Sequence, residues 1–526
     1  MEDLFSPPKD RICLAQKVLE TEGCVIGAER ICSLDHTAAR LVYNDQQPSV
    51  LLDLGPLSPG GYPVFRIKLA SPDAKLRVCY YDWLQTAKGK ISRKYGDFVR
   101  GSCKYLGVEL PVLPANPNRY ECYTLNQPGE YLYPLIQGQQ RFVRILLEEP
   151  GSFVELETFY IYYTSDNAPY AGSFDCADPR LRKLWYASTY TAKLATIQSN
   201  QWDTLNGKLL LRSLAESADL GFLKDMQWRD FTLDFSCKIS VSPDFVSGIS
   251  WAVGITGGQA VVLSLLLDSR LCIWRYQDGV YRELVPQVKL HQKIRDNYLY
   301  HLKTVCRDTH IIVFLEDEEI FNGELPHSTD GKIGFCQQTE QVAVLESFKI
   351  TARNGCCRKW ESFDGDLPEW EFARSPWFTA DGAKRDRLPW SGDLVWAGPN
   401  IYYAYRENRG MRGALELLAF HQNSQGYVYG TCYPENREKP GSKQWGNYES
   451  DLFSMWHAVS LAEYVLFSGD IDFLDTYYDC LQKNLDYLWR FVDARGLFYQ
   501  RYETSKGLWD HELGDKGIHA YHMRIG

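Results

Sequence analysis

DGAKRDRLPWSGDL, residues 381–394, marks the point where the hydrophobic period of the chain changes from strand-like to helix-like. The stretch holds Asp381, Asp386 and Asp393, the cations Lys384, Arg385 and Arg387, and one aromatic, Trp390. Carboxylates alternating with cations make poor core, because buried charges need partners. A solvated helix is also disfavoured, since Pro389 interrupts it and Gly382 and Gly392 bracket it. On a helix, positions five apart such as Asp381 and Asp386 would point about 140° away from each other. The expectation is therefore a looped segment that turns several carboxylates into one cavity.

The chemistry such a set can serve is glycoside hydrolysis. A sugar acetal needs a proton on its leaving oxygen and negative charge near the cationic ring of the transition state. Neighbouring Arg and Asp charges set the carboxylate pKa values apart, and a Trp offers a flat wall for the C–H face of a sugar. The same residues resemble the active-site signature of bacterial α-L-rhamnosidases, glycoside hydrolase family 78. That signature runs Asp, Arg four later, an acid, Arg, Trp and Gly-Asp, matched here by Asp381, Arg385, Asp386, Arg387, Trp390, Gly392 and Asp393.

The resemblance implies a role for each residue. Asp386 takes the place of the general acid, and Asp381 and Asp393 match acids that hold sugar hydroxyls. Arg385 would bind substrate or orient a carboxylate, and Trp390 would pack on the rhamnose ring. Trp445, in KQWGNYESD, and Trp509, in GLWDHELGD, fall where further cavity aromatics are expected. The family inverts configuration and so needs a second carboxylate as general base. No segment here matches the one that carries it, and Glu512 and His519 stand in the wrong context.

At 526 residues the chain exceeds one ordinary domain. A net charge of −10 argues against nucleic acid and anionic membrane surfaces as partners. MEDLFSPPKDRICLAQ has no apolar signal core, and VVLSLLL at 261–267 is too short to span a bilayer. The 15 Cys are scattered without paired CxxC motifs, and no HxxxH or HExxH pair occurs. The expectation is a cytoplasmic protein with a carbohydrate partner and with neither cofactor nor metal, a homodimer being left open.

Taken in order, residues 1–175 read as an N-terminal β-sandwich of short apolar runs bounded by Gly, Pro, Asn and Asp. Residues 176–200 read as a linker helix, with Asp178 as N-cap, Pro179 at its first position and Leu181, Leu184, Trp185, Ser188 and Ala192 as its stripe. Residues 201–352 read as a second sandwich, anchored on the strict alternation of FTLDFSCKI at 231–239. Its close, DGKIGF then VAVLESFKI, resembles concanavalin/laminin-G-like jelly rolls, and the domain reads as an insertion. Trp228, Trp251, Trp274 and Tyr276 are its candidate sugar contacts.

Residues 353–380 read as a linker, and 381–526 as a run of helical hairpins. Stripes there are Leu452, Met455, Trp456, Val459 and Ala462 in one helix, and Leu474, Tyr478, Leu481, Leu485, Leu488 and Val492 in the next, which is read as stopping at Arg495-Gly496. In the rhamnosidases such hairpins close an (α/α)6 toroid. Residues 381–526 hold too few helices for one, so the toroid is expected to be partial as written. The class that follows is multidomain β plus α: two sandwiches and part of a toroid. The function that follows is inverting hydrolysis of terminal α-L-rhamnosides. The alternatives are a non-catalytic carbohydrate-binding protein or a same-fold glycosidase of other sugar specificity.

Overall fold

The structure, a computed structural model, describes residues 5, 11–56, 58–88, 101–105, 108–112, 119–212, 220–224, 227–241, 246–278, 280–338, 341–365, 367–381, 387–406, 408–432, 434, 450–498 and 523–524. The protein is multidomain and β-rich. It divides into two compact units, one of residues 12–162 and 200–374, the other of residues 1–11, 163–199 and 375–526.

The first unit contains two antiparallel sandwiches. In the first of these, one sheet runs Gly129–Leu132, Gly61–Ala70, Phe153–Tyr163, Ala39–Val42, Cys24–Ile26. The other runs Tyr120–Leu125, Ala74–Tyr81, Phe142–Leu147, Ser49–Asp53, Lys17–Glu22. Val143 sits opposite Leu52 on one side and Tyr80 on the other. These three join Leu41, Val50, Phe65, Ile67, Val78 and Ile145 in a core closed to water. Each such side chain contributes about 1.5–3 kcal/mol by leaving solvent.

The second sandwich is built on Phe231–Ile239, whose Phe231, Leu233, Phe235, Cys237 and Ile239 are buried while Thr232, Asp234 and Ser236 are half-buried. The polar face of that strand is not all wet, however. Lys238 is buried, with Nζ 3.2 Å from a Glu346 carboxylate oxygen and 5.3 Å from the ring centre of Tyr131 in the first sandwich. The two sandwiches meet there through Tyr62, Val64, Leu132 and Tyr160 on one side and Leu205, Leu210 and Val344 on the other.

A buried polar knot joins them. Arg212 donates to Tyr62 Oη at 2.6 Å, to the carbonyls of Pro134 at 3.1 Å and Asn200 at 2.7 Å, and pairs with Asp203. Tyr62 donates to the same carboxylate, and burial holds its phenol well above the usual range.

Two expectations are corrected in this unit. Residues 353–380, read as a linker, carry the strands Cys357–Trp360, Trp370–Glu371 and Arg374–Thr379. The first of these pairs with Val342–Ala352 and the second with Gly221–Leu223, extending both sheets of the second sandwich. Trp228 and Trp251 are core residues closed to solvent, Trp251 on the strand Gly248–Thr256 and Trp228 at an isolated bridge to Gly331. The Trp251 Nε1–H is satisfied by Thr304 Oγ1 at 3.1 Å. Neither ring is available to a ligand.

The second unit is helical: α1 (Pro179–Leu194), α2 (Ser391–Ala404), α3 (Arg409–Phe420), α4 (Asp451–Ser468) and α5 (Ile471–Trp489). The Asp178 side chain caps α1, accepting from the Arg180 N–H at 2.8 Å. Ser450 caps α4 and Asp470 caps α5. Gly469 makes the left-handed link between those last two helices. Asp470 also accepts from Tyr464 Oη at 2.7 Å and Arg412 Nε at 3.2 Å, so one carboxylate ties α3, α4 and α5.

The apolar stripes read from the sequence match the buried faces only in part, as at Leu488. In α1, Leu181 and Leu184 are exposed, and Tyr186, Thr189, Tyr190 and Lys193 are buried. Lys193 donates to the Ala168 carbonyl and lies over the Tyr405 ring. In α4, Val459 and Ala462 are exposed, while Phe453, Ser454, His457 and Leu461 are buried. In α5, Tyr478 is exposed while Asn484 and Tyr487 are buried. Part of this buried polarity is hydrogen-bonded: Asn484 Nδ2 donates to Ser454 Oγ at 3.0 Å. The stop of α5 also falls early, at Trp489 rather than Arg495.

His457 gives this unit a pH signature. Its ring lies 3.4 Å from the Leu415 carbonyl, and burial pulls its pKa down to about 4. The unfolded chain takes up this proton near pH 6.5 and the folded one only near 4, so stability falls as pH drops across that window and levels below it. The expected loss is about 3 kcal/mol. Denaturation series at pH 7 and pH 4 should show it, and a His457→Gln chain should show correspondingly less.

Candidate active site

Within 381–394 the described residues are Asp381 and 387–394, the last four of them helical. The backbone closes on itself where the Asp381 N–H donates to the Leu388 carbonyl at 3.3 Å. Asp381 and Arg387 are 5% and 4% exposed, so both ends of the charged loop turn inward. Arg387 has φ of 60°, the left-handed region, where a non-glycine side chain is strained and needs support from its surroundings.

The residues that follow Arg387 are held by segments further along the chain. Thr431 Oγ1 donates to the Pro389 carbonyl at 2.7 Å, and the Ser391 N–H donates to the Gly430 carbonyl at 2.9 Å. Ser391 Oγ donates to the Phe453 carbonyl at 2.8 Å. The Trp390 ring stands edge-on to Phe453, with centroids 5.9 Å apart.

At Ser391 the chain enters α2, a helix the sequence reading missed. Asp393 lies in its first turn, where the positive end of the helix dipole favours a carboxylate. A cavity of about 430 Å³ opens beside it. One wall is α1, through Ala187, Ser188, Thr191, Ala192 and Ala195; the other is α2, through Asp393, Trp396, Ala397 and Asn400. Ala380, the residue before Asp381, completes the lining. The α2 residues follow i, i+3, i+4, i+7 and so form a single helix face. An opening of this size accepts a small ligand.

No family model matches the chain, and no curated protein matches it. Among solved structures it is similar to a rhamnosidase from Klebsiella oxytoca with rhamnose bound, at 12% identity and a TM-score of 0.45. That likeness covers 96% of this chain and 61% of the other, so the chain spans less than two thirds of that protein. A carbohydrate binding module from Bacillus subtilis is similar at 16% identity and TM-score 0.24, over 28% of this chain and 88% of the module. Chicken galectin 2 is similar at 12% identity and TM-score 0.20, over 26% of this chain and 99% of the galectin.

Of the residues singled out in the sequence, Asp381, Trp390 and Asp393 fall within the structure just described. Asp386, Arg385, Trp445 and Trp509 lie outside the described residues. The structure adds groups the sequence reading passed over. Trp396 is 70% exposed at the cavity, and Asn400 stands one turn beyond it. Asp451, in the first turn of α4, is buried two residues before Phe453, which touches the Trp390 ring. The spacing of Asp393, Trp396 and Asn400 was legible as a helix face, but Gly392, Gly398 and Pro399 hid the helix.

Proposed function

We propose that this chain belongs to a glycoside hydrolase acting on terminal α-L-rhamnosides with inversion. The observation that carries the reading is the inward turn of the charged loop: Asp381 and Arg387 are buried, and Asp393 borders an open cavity. A solvated ion-pair loop would leave these groups in water. In this reading Asp386 protonates the departing oxygen, Asp381 and Asp393 hold sugar hydroxyls, and Arg385 orients a carboxylate. Trp390, Trp445 and Trp509 supply apolar walls. The helices α2 to α5 are then the first hairpins of an (α/α)6 toroid, and the second sandwich is a concanavalin/laminin-G-like insertion. The general base is not assigned to any residue of this sequence.

The test is release of free rhamnose from alkyl and aryl α-L-rhamnosides by a protein that carries this chain, with the anomer identified by NMR at early times. Initial release of β-L-rhamnose is the expected result. Saturable rhamnose binding without any release would favour the carbohydrate-binding alternative, and release of another sugar would favour the same fold with a different specificity.

A further inference from the structure

We propose that the groove between α1 and α2 is a saccharide subsite for a second sugar ring, with Trp396 as its stacking platform. Trp396 is 70% exposed on a wall that also carries the Asp393 carboxylate. A fully solvated indole loses little by exposure alone, but here it borders a groove that is also lined by Ala187, Ala192, Ala195 and Ala397. Small side chains there leave room for a flat ring against the indole face.

The polar groups on the two walls select the ligand. Ser188 Oγ–H donates back to the Leu184 carbonyl at 2.8 Å, and Thr191 Oγ1–H to the Ala187 carbonyl at 2.8 Å. Asn400 Nδ2 donates to the Trp396 carbonyl at 2.8 Å. The two hydroxyl protons are thus turned toward α1, and the groove is bordered by two hydroxyl oxygens, the Asn400 amide and the Asp393 carboxylate. A groove rich in acceptors and walled by an aromatic fits a ligand that is flat on one face and carries several hydroxyl donors. A pyranose ring meets both conditions. The volume of about 430 Å³ accommodates one ring with its substituents.

The identity of the ring as part of a rhamnoside rests on the function proposed above; the existence of the subsite rests on the groove alone. The experiment is calorimetric binding of an α-L-rhamnosyl-glucose disaccharide, L-rhamnose and choline to the full chain and to Trp396→Ala and Trp396→Tyr. Trp396 is a surface residue, so folding of the variants is checked simply by circular dichroism. The expected result is disaccharide binding weakened about tenfold by Trp396→Ala and retained by Trp396→Tyr, with little change at 0.5 M salt.

Equal affinity in wild type and Trp396→Ala overturns the subsite, as does disaccharide binding that is absent from the wild type. Choline binding that salt abolishes, in place of sugar binding, assigns the groove to a cation and also overturns it. Failure of the two proposals is distinguishable. Rhamnose release with binding indifferent to Trp396 removes the subsite and keeps the hydrolase. Trp396-dependent sugar binding with no release removes the hydrolase and keeps the subsite.

Discussion

Asp386→Asn should lower the release of rhamnose from an alkyl α-L-rhamnoside by about a thousandfold, the size of a lost general acid. Asparagine keeps the shape of the side chain but has no acidic proton to deliver. An alkoxide is a poor leaving group and cannot depart unprotonated, so the full loss falls on alkyl substrates. A nitrophenolate leaves without help, so the same variant should cleave a nitrophenyl rhamnoside with a far smaller deficit. The alkaline limb of the pH–rate profile, which reports ionisation of the acid, should vanish with the substitution. Equal losses on both substrates would instead assign Asp386 to substrate binding, and no loss on either would remove it from the reaction.

Arg212→Ala should destabilise the sandwich unit by about 2–3 kcal/mol, because it takes a buried guanidinium from a half-buried carboxylate and from two backbone carbonyls. In the native protein the guanidinium serves Asp203, Tyr62 and two backbone carbonyls at once. Removing it leaves Asp203 with two donors, Tyr62 Oη and Asn200 Nδ2, and leaves the Pro134 and Asn200 carbonyls short of theirs. Tyr62→Phe alone removes one hydrogen bond and should cost about 1 kcal/mol. Combined with Arg212→Ala, it should add less than the sum, since both act on the same knot. Urea unfolding followed by far-ultraviolet circular dichroism measures each value. A loss below about 1 kcal/mol for Arg212→Ala would mean that the knot adjusts to solvent rather than being sealed from it.

The β half was legible wherever one residue in two had to face a core, as in Phe231–Ile239. Strand periodicity depends only on which side is wet, and that is a local property. The helical half was legible in its starts and only in part in its faces. Asp178, Ser450 and Asp470 act through hydrogen bonds two or three residues long, which a sequence carries intact. Which face is buried depends on partners far away in the chain. Asn484 is buried because Ser454 receives its proton, and Lys193 because the Ala168 carbonyl does.

Helix α2 was missed for a related reason. Gly392 reads as a turn signal, yet a Cβ there would lie 2.4 Å from the Phe453 ring, so it marks helix contact rather than chain reversal. Pro399 reads as a terminator, yet it sits within the helix. The candidate site was proposed from the residue types at 381–394, of which Asp381, Trp390 and Asp393 fall among the described residues. Its companions Trp396 and Asn400 became visible only once α2 was known to present them with Asp393.

The stitching of residues 389–391 to Gly430, Thr431 and Phe453 bears on how this region can be engineered. A peptide or a grafted loop copying 381–394 alone would lack the clamps that hold its exit, and would lose its shape. Libraries aimed at new substrates should therefore diversify Asp393 or Trp396 while leaving Pro389, Ser391, Thr431 and Phe453 untouched. Transplants to another scaffold should carry the downstream braces along with the loop.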